Sequence, residues 1–101
     1  MTSKRSQRYR VQVEALDRTA SAVSFEIENH DDILAIVERV RGATAFSPDD
    51  AGALAIGLKL FSGVVLAHRR DPLFADIQPA LRVFIGNLKS RVAVNTNGEP
   101  A

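Results

Sequence analysis

The chain has 101 residues, of which 46% are hydrophobic and 25% are charged. This composition is typical of one globular domain and excludes a collagen-like, coiled-coil or disordered chain. The chain contains no cysteine, which excludes disulfides, thiolate metal sites and a cysteine nucleophile. Its net charge of +1 is far below the basic excess of a dedicated nucleic-acid-binding module.

A β-hairpin is predicted by a period-two pattern between residues 8 and 28. Apolar and polar residues alternate in two segments, and the polar link Asp17-Arg18-Thr19 between them is typical of an antiparallel turn. A register in which paired residue numbers sum to 36 places apolar residues opposite each other and unlike charges together. The predicted pairs are Tyr9 with Ile27, Val11 with Phe25, Val13 with Val23, Arg10 with Glu26 and Arg8 with Glu28.

A first helix is predicted over residues 30–41. Asn29 is a favourable N-cap, and the two acids that follow it complement the positive end of a helix dipole. Gly42 is expected to end the helix as a left-handed C-cap. The apolar residues at helical spacing are Ile33, Ile36, Val37 and Val40.

A second helix is predicted to begin after Ser47, because Pro48 is favoured at the first helical position and two acids follow it. It is expected to extend to Arg69, which gives a length of roughly 33 Å. The helix is apolar almost all round, so we expect other elements to cover it on several sides. We therefore predict that Leu58 and Phe61 are almost fully buried.

The apolar run of this helix also bears on localisation. Residues 51–67 form a stretch of 17 residues that contains Lys59, whereas a membrane span needs about 20 residues with few or no charges. The first ten residues are basic, but the apolar stretch of a signal peptide does not follow them. We interpret the run as a buried core helix and expect a cytoplasmic protein without a membrane partner.

A third helix is predicted after a turn at residues 71–76, with Pro79 tolerated in its first turn. Residues from Ser90 onward lack periodicity and are expected to fray. The order β-β-α-α-α predicts an α+β fold in which the antiparallel hairpin packs on a helical layer. The predicted organisation is a basic N-terminal arm over residues 1–7, a single α+β domain over 8–89 and a flexible tail over 90–101.

Several stretches of the chain resemble a known family. They are residues 8–11, 25–33 and 57–61, the pair His68-Arg69, and Pro72-Leu73-Phe74. Over roughly residues 8–89, the chain resembles a family of short bacterial proteins catalogued as a domain of unknown function. The resemblance implies a bacterial, cytoplasmic, stand-alone domain, and it implies no activity.

His30 is a first candidate site residue. With Asp31 and Asp32 it offers an imidazole and two carboxylates, which are groups that bind divalent metals or transfer protons. The sequence places no further ligand at metal spacing beside them, so we interpret the two acids as partners of the helix dipole. We predict no catalytic residue, no metal and no cofactor.

A basic cluster, His68-Arg69-Arg70, is predicted at the end of the second helix. Guanidinium groups bind phosphate or carboxylate through paired hydrogen bonds, and the same residues complement the negative end of a helix dipole. Lys59 is a further candidate, because a buried lysine is able to act as a base or a nucleophile. We interpret Lys59 as a side chain whose stem packs while its ammonium group reaches water.

The N-terminal arm is the one feature that favours nucleic acid. Its basic residues are Lys4, Arg5, Arg8 and Arg10. The last two already have predicted partners across the hairpin, and residues 11–101 hold nine basic and twelve acidic residues, a net charge of −3. A nucleic-acid partner is therefore disfavoured.

An interaction or dimerisation module is the function that these features favour, ahead of a ligand binder and an enzyme. A lone hairpin leaves unpaired backbone groups at its outer edges, so we predict a homodimer through the edge of the first strand. Self-pairing about Gln12 would place Arg10 opposite Glu14 of the other copy, twice. The alternative is a protein that binds a small ligand, an anion or an acidic partner through the helical layer and the His68-Arg69-Arg70 terminus.

Overall fold

The computed structural model describes residues 6–18 and 21–97. Lys4, Arg5, Thr19 and the end of the predicted tail lie outside these residues. The structure confirms the α+β class and the predicted order of two antiparallel strands followed by three helices. The chain divides into two units, one ending at Asp32 and the other beginning at Ile33. The elements are β1 (Gln7–Glu14), β2 (Ala22–Asn29), α1 (Ile33–Ala43), α2 (Pro48–Ala67), a 3-10 turn (Pro72–Phe74) and α3 (Ile77–Asn97).

The hairpin of the first unit has the predicted register. Paired residue numbers sum to 36 along its whole length, from Gln7 opposite Asn29 to Glu14 opposite Ala22. The alternation of apolar and polar residues selects this register, because a slip by one residue would move every side chain to the other face. The exposed apolar side chains of the hairpin are Val13, Val23 and Phe25.

The charged face of the hairpin differs in one detail from the prediction. Arg8 and Arg10 both form an ion pair with Glu26, so Arg8 pairs diagonally instead of with Glu28 opposite it. For Arg10, the Nη2 to Oε2 distance is 3.2 Å. All three side chains are substantially exposed, so each pair contributes only about 0.2 to 1 kcal/mol.

The start of α1 corrects the prediction for Asn29, which does not cap the helix. Its side-chain oxygen accepts a hydrogen bond from the Asp31 backbone N–H at 2.9 Å, which forms a turn ahead of the helix. The Tyr9 hydroxyl donates to the Asp31 carbonyl oxygen at 3.1 Å, so β1 also holds this turn. The helix therefore begins at Ile33, three residues later than predicted.

Gly42 lies inside α1, which ends at Ala43, so the predicted left-handed C-cap is wrong. A single glycine lowers helix stability by only about 1 kcal/mol, and the chain does not need to leave the helix there. The Thr44 hydroxyl donates to the Val40 carbonyl oxygen at 2.9 Å. This bond satisfies one of the carbonyls that a helix end leaves without a helical partner.

The core of the second unit lies where α1 packs against α2 and α3. Small residues of α2 allow a close approach of α1: a Cβ atom added to Gly52 would lie 3.4 Å from Arg41 Nη2. The Arg41 side chain in turn donates from Nε to the Pro48 carbonyl oxygen at 3.1 Å. The buried members of this core are Val37, Val40, Ala51 and Ala55.

The predicted start of α2 is confirmed. Ser47 Oγ accepts a hydrogen bond from the Asp50 N–H at 3.1 Å, and Pro48 is the first helical residue. The helix ends at Ala67 and not at Arg69, because His68 leaves the helical conformation with a φ of −124°. Its 20 residues extend about 30 Å.

The exposure of α2 contradicts the predicted burial. Phe61 is 43% exposed and Leu58 is half-buried, so the prediction that both are almost fully buried is wrong. Among the described residues, α2 is the one helix long and apolar enough to cross a membrane, with a mean hydropathy of 1.6 over a stretch that is only 22% buried. Core helices of globular proteins also meet this criterion of length and composition. The expected cover on several sides is therefore absent from the described part of the chain.

The connection between α2 and α3 is a turn, as predicted, and Asp71 caps it. The Asp71 carboxylate accepts a hydrogen bond from the Leu73 N–H at 2.9 Å and caps a single 3-10 turn. Phe74 of this turn contacts Phe61 edge to face, with ring centroids 6.3 Å apart. This aromatic contact attaches the turn to α2.

The third helix is longer than predicted. It passes Ser90 and ends at Asn97, although the sequence loses its clear periodicity there. Val92 is half-buried and continues the apolar face one turn beyond Leu88, which packs against the core. Pro79 is the third residue of the helix, where a backbone N–H has no helical partner to lose.

Candidate functional site

A concave apolar surface of the second unit is an open groove between α2 and α3. The groove has a volume of about 490 Å³. Its lining residues all lack charge, and they are Ala53, Leu54, Gly57, Leu58, Phe61, Ile77, Ala80, Leu81 and Phe84. We call this surface the α2–α3 groove.

Large apolar side chains of the α2–α3 groove remain in contact with solvent. Phe61, Ile77 and Phe84 are each about two-fifths exposed. Gly57 contributes an open position, since a Cβ atom added there would meet nothing within 4 Å. Leaving such surface in water costs about 25 cal/mol per Å², so the groove is a surface that gains free energy when a partner covers it.

A second apolar feature extends along α2 beside the groove. Ala53, Gly57, Leu60, Val64 and Ala67 recur at the alternating four- and three-residue spacing of helix–helix interfaces. All of them except Leu60 are exposed. We call these five residues the outer stripe. Lys59 is the one charged residue in this run of the sequence, and it lies about 100° around the helix from Leu60, outside the stripe.

The two ends of α2 carry opposite charges. Asp49 and Asp50 occupy its first turn, and His68, Arg69 and Arg70 follow its last residue. All five residues are exposed. Acids at the N-terminus and bases at the C-terminus both complement the helix dipole, so α2 is an apolar cylinder with an acidic end and a basic end.

The structure brings His68, Arg69 and Arg70 together on one turn. They line a shallow depression of about 670 Å³ with neighbouring residues of the same segment. The Asp71 N–H donates to the His68 carbonyl oxygen at 2.9 Å, and Gln78 Nε2 donates to the Arg69 carbonyl oxygen at 2.6 Å. These two bonds hold the backbone of the turn while the basic side chains extend into solvent.

His30 is exposed in the bend that follows β2, in the first unit, whereas His68 belongs to the second. Among residues 6–18 and 21–97, no group of three or more histidine, aspartate or glutamate side chains is placed to hold a metal ion. Lys59 is half-buried. Among the described residues, the candidates predicted from the sequence therefore form one cluster, which consists of His68, Arg69 and Arg70 at the end of α2.

The α2–α3 groove was not predicted from the sequence. The apolar character of α2 was identified, but Leu58 and Phe61, which line the groove, were predicted to be buried in the core. One signal was available, because a helix that is apolar on every side needs more covering elements than a hairpin and two helices supply.

A solved structure resembles this fold closely. It is the crystal structure of a protein of unknown function from Pectobacterium atrosepticum, with a TM-score of 0.80 and 34% sequence identity. The match covers 85% of this chain and 99% of that chain. No curated protein matches the sequence.

A family model supports the resemblance seen in the sequence. The model is described as a domain of unknown function with solved structure, DUF3861, and it matches residues 7–90. The match spans both strands, the first two helices and most of α3. The chain is therefore a member of the DUF3861 family.

Proposed function

We propose that this domain is a protein-interaction module that forms a homodimer and has no catalytic role. The observation that carries the proposal is the distribution of apolar side chains. In the described part of the chain, six hydrophobic residues are buried, whereas fourteen large hydrophobic residues are exposed. Three of the exposed residues, Phe61, Ile77 and Phe84, line one surface, the α2–α3 groove, and exposed apolar patches of this kind are typical of protein interfaces.

The edge of β1 is one surface through which two copies would join. Within the described residues, the sheet consists of β1 and β2 alone, so no third strand pairs with the outer edge of β1. Self-pairing about Gln12 places Arg10 opposite Glu14 of the second copy. Arg10 already pairs with Glu26, and Gln12 Nε2 donates to Glu14 Oε1 at 3.4 Å, so this edge gains less from charge than its sequence indicates.

Light scattering across a dilution series tests the dimer. We expect a mass of twice 11.0 kDa that falls toward 11.0 kDa on dilution. A mass of 11.0 kDa at every concentration would overturn the proposal. If the β1 edge is the interface, Glu14→Arg weakens the dimer by placing arginines opposite each other, and Glu28→Arg in β2 is the matched control.

Anion binding at the basic turn is the second candidate function. Its support is the clustering of His68, Arg69 and Arg70 on a backbone held by Gln78. Titration with inorganic phosphate, followed by amide chemical shifts, tests it. We expect phosphate to shift the amide signals of residues 68–70, and we expect Arg70→Ala to abolish these shifts. Arg18→Ala is the control and is expected to keep them. Shifts elsewhere, or no shifts, would contradict anion binding at this turn.

The proposal also places the domain in the cytoplasm, without a membrane span. Its support is Lys59 near the middle of α2, where a charged side chain in a bilayer costs about 2.5 to 3.5 kcal/mol. Insertion would also separate Ala51 and Ala55 from α1, against which they are buried. Fractionation of cells that produce the protein is expected to recover it in the supernatant, and recovery in a carbonate-resistant membrane pellet would contradict this.

A further inference from the structure

We infer that the partner of the outer stripe is the same stripe of a second copy, with the two α2 helices antiparallel across a two-fold axis. The inference rests on the proposed homodimer and assigns its interface to α2 instead of the β1 edge. Its basis is that one antiparallel arrangement pairs the apolar stripe with itself and brings the acidic end of each α2 toward the basic end of the other.

The apolar positions are self-complementary when facing residue numbers sum to about 120. Leu60 then faces Leu60 of the second copy, and Ala53 faces Ala67. Gly57 faces Val64, so that a position without a side chain meets a branched one. Alternating spacing of four and three residues keeps these positions on one side of the helix over its full length, and the small residues allow the two backbones to approach closely.

The charged ends favour the same antiparallel arrangement. It brings the first turn of each α2, with Asp50, toward the basic segment that follows the last residue of the other α2, with Arg70, and the two-fold axis forms this approach twice. Asp50 is exposed in the first turn of α2 and Arg70 is exposed just beyond its end. A parallel arrangement would instead place acids beside acids and bases beside bases.

The surface available is that of a weak dimer. The outer stripe shares Ala53 and Gly57 with the α2–α3 groove, so a second copy seated on the stripe also reaches the groove. A fully exposed residue of the size of phenylalanine presents roughly 200 Å², and the stripe and the groove together expose on the order of 500 Å² of apolar surface per copy. A standard interface buries about 800 Å² per partner, so we expect a small, transient interface with the charged ends of α2 as its polar rim.

A charge exchange tests the register. The Kd of dimerisation is measured by sedimentation equilibrium for Asp50→Arg, Arg70→Asp and the double variant. We expect each single change to raise the Kd about tenfold or more, because it creates two like-charge pairs, and the double variant to restore it to within about threefold. Asp17→Arg, at an exposed position in the first unit, makes the same charge change as a control and leaves the Kd unchanged.

An apolar position gives a second, independent test. Val64 is 52% exposed and Leu34 on α1 is 66% exposed, so glutamate at either position leaves the core of the monomer intact. We expect Val64→Glu to be monomeric at concentrations where the parent protein is dimeric. Leu34→Glu is expected to dimerise like the parent protein, and circular dichroism confirms that both variants fold.

The outcomes separate this inference from the broader proposal. A dimer that tolerates both Val64→Glu and Asp50→Arg overturns the α2 interface and leaves dimerisation standing, and sensitivity to Glu14→Arg would then assign the interface to β1. A monomer at every concentration overturns both. In that case, co-sedimentation with phosphatidylcholine vesicles would identify a lipid surface as the occupant of the outer stripe.

Discussion

The two sides of α2 differ in their exposure to solvent. The side toward α1, which we call the inner stripe, consists of Ala51, Gly52 and Ala55, and all three are buried. The opposite side, the outer stripe, mixes small residues such as Ala53 and Gly57 with larger ones such as Val64, which is 52% exposed. Small residues therefore lie on both sides of the helix, but only those toward α1 are buried.

The presence of a neighbouring helix, and not the residue types of α2 alone, therefore decides which side of α2 is buried. Small residues on the side toward α1 allow the backbones of the two helices to come close together. This close packing excludes water from the contact between them. Bulky residues on the same side would hold the helices apart. The exposed residues of the outer stripe and the α2–α3 groove then remain for a partner.

Enlarging a residue of the inner stripe is expected to have the largest effect on stability. Ala55→Leu inserts three carbon atoms between α1 and α2, where Ala55 is 1% exposed. Overpacking of this kind is expected to cost about 3 kcal/mol of the free energy of unfolding. Urea denaturation at low protein concentration measures it, with Ala53→Leu in the outer stripe as the control at less than about 0.5 kcal/mol. Equal losses in the two variants would show that the two sides are packed alike.

Truncating Leu58 tests where the buried side of α2 ends. A fully buried leucine costs about 2 to 5 kcal/mol when replaced by alanine, but Leu58 is half-buried at the margin of the groove. We expect Leu58→Ala to cost about 1 kcal/mol in the monomer. A loss above about 2 kcal/mol would mean that a partner or a closed groove buries Leu58 in solution.

Replacing glycines gives the smallest effect and extends the same comparison. A Cβ atom at Gly63 would meet nothing within 4 Å, whereas at Gly52 it would meet Arg41 Nη2 at 3.4 Å. Alanine favours the helix over glycine by about 0.5 to 1 kcal/mol. Gly63→Ala is expected to raise the free energy of unfolding by this full amount, and Gly52→Ala by less. The midpoint of thermal unfolding measures the difference between the two variants. A larger gain at Gly52 than at Gly63 would contradict the close approach of α1.

The local elements of this protein follow from its sequence because their causes are local. The hairpin register depends on alternation within two short segments and on charges that face each other across them, and Arg10 opposite Glu26 is found as predicted. The start of α2 depends on Ser47 and Pro48, whose effects are confined to one turn.

Contacts between elements determine where the helices end and which surfaces are buried. Gly42 lies within α1, and α3 passes Ser90, because partners such as the Thr44 hydroxyl and the half-buried Val92 are available at those points. The sequence by itself determined that α2 is apolar on every side. Only the packing of α1 on the small residues decided that Phe61 lies in an open groove, because the periodicity of one helix contains no information on how many neighbours will cover it.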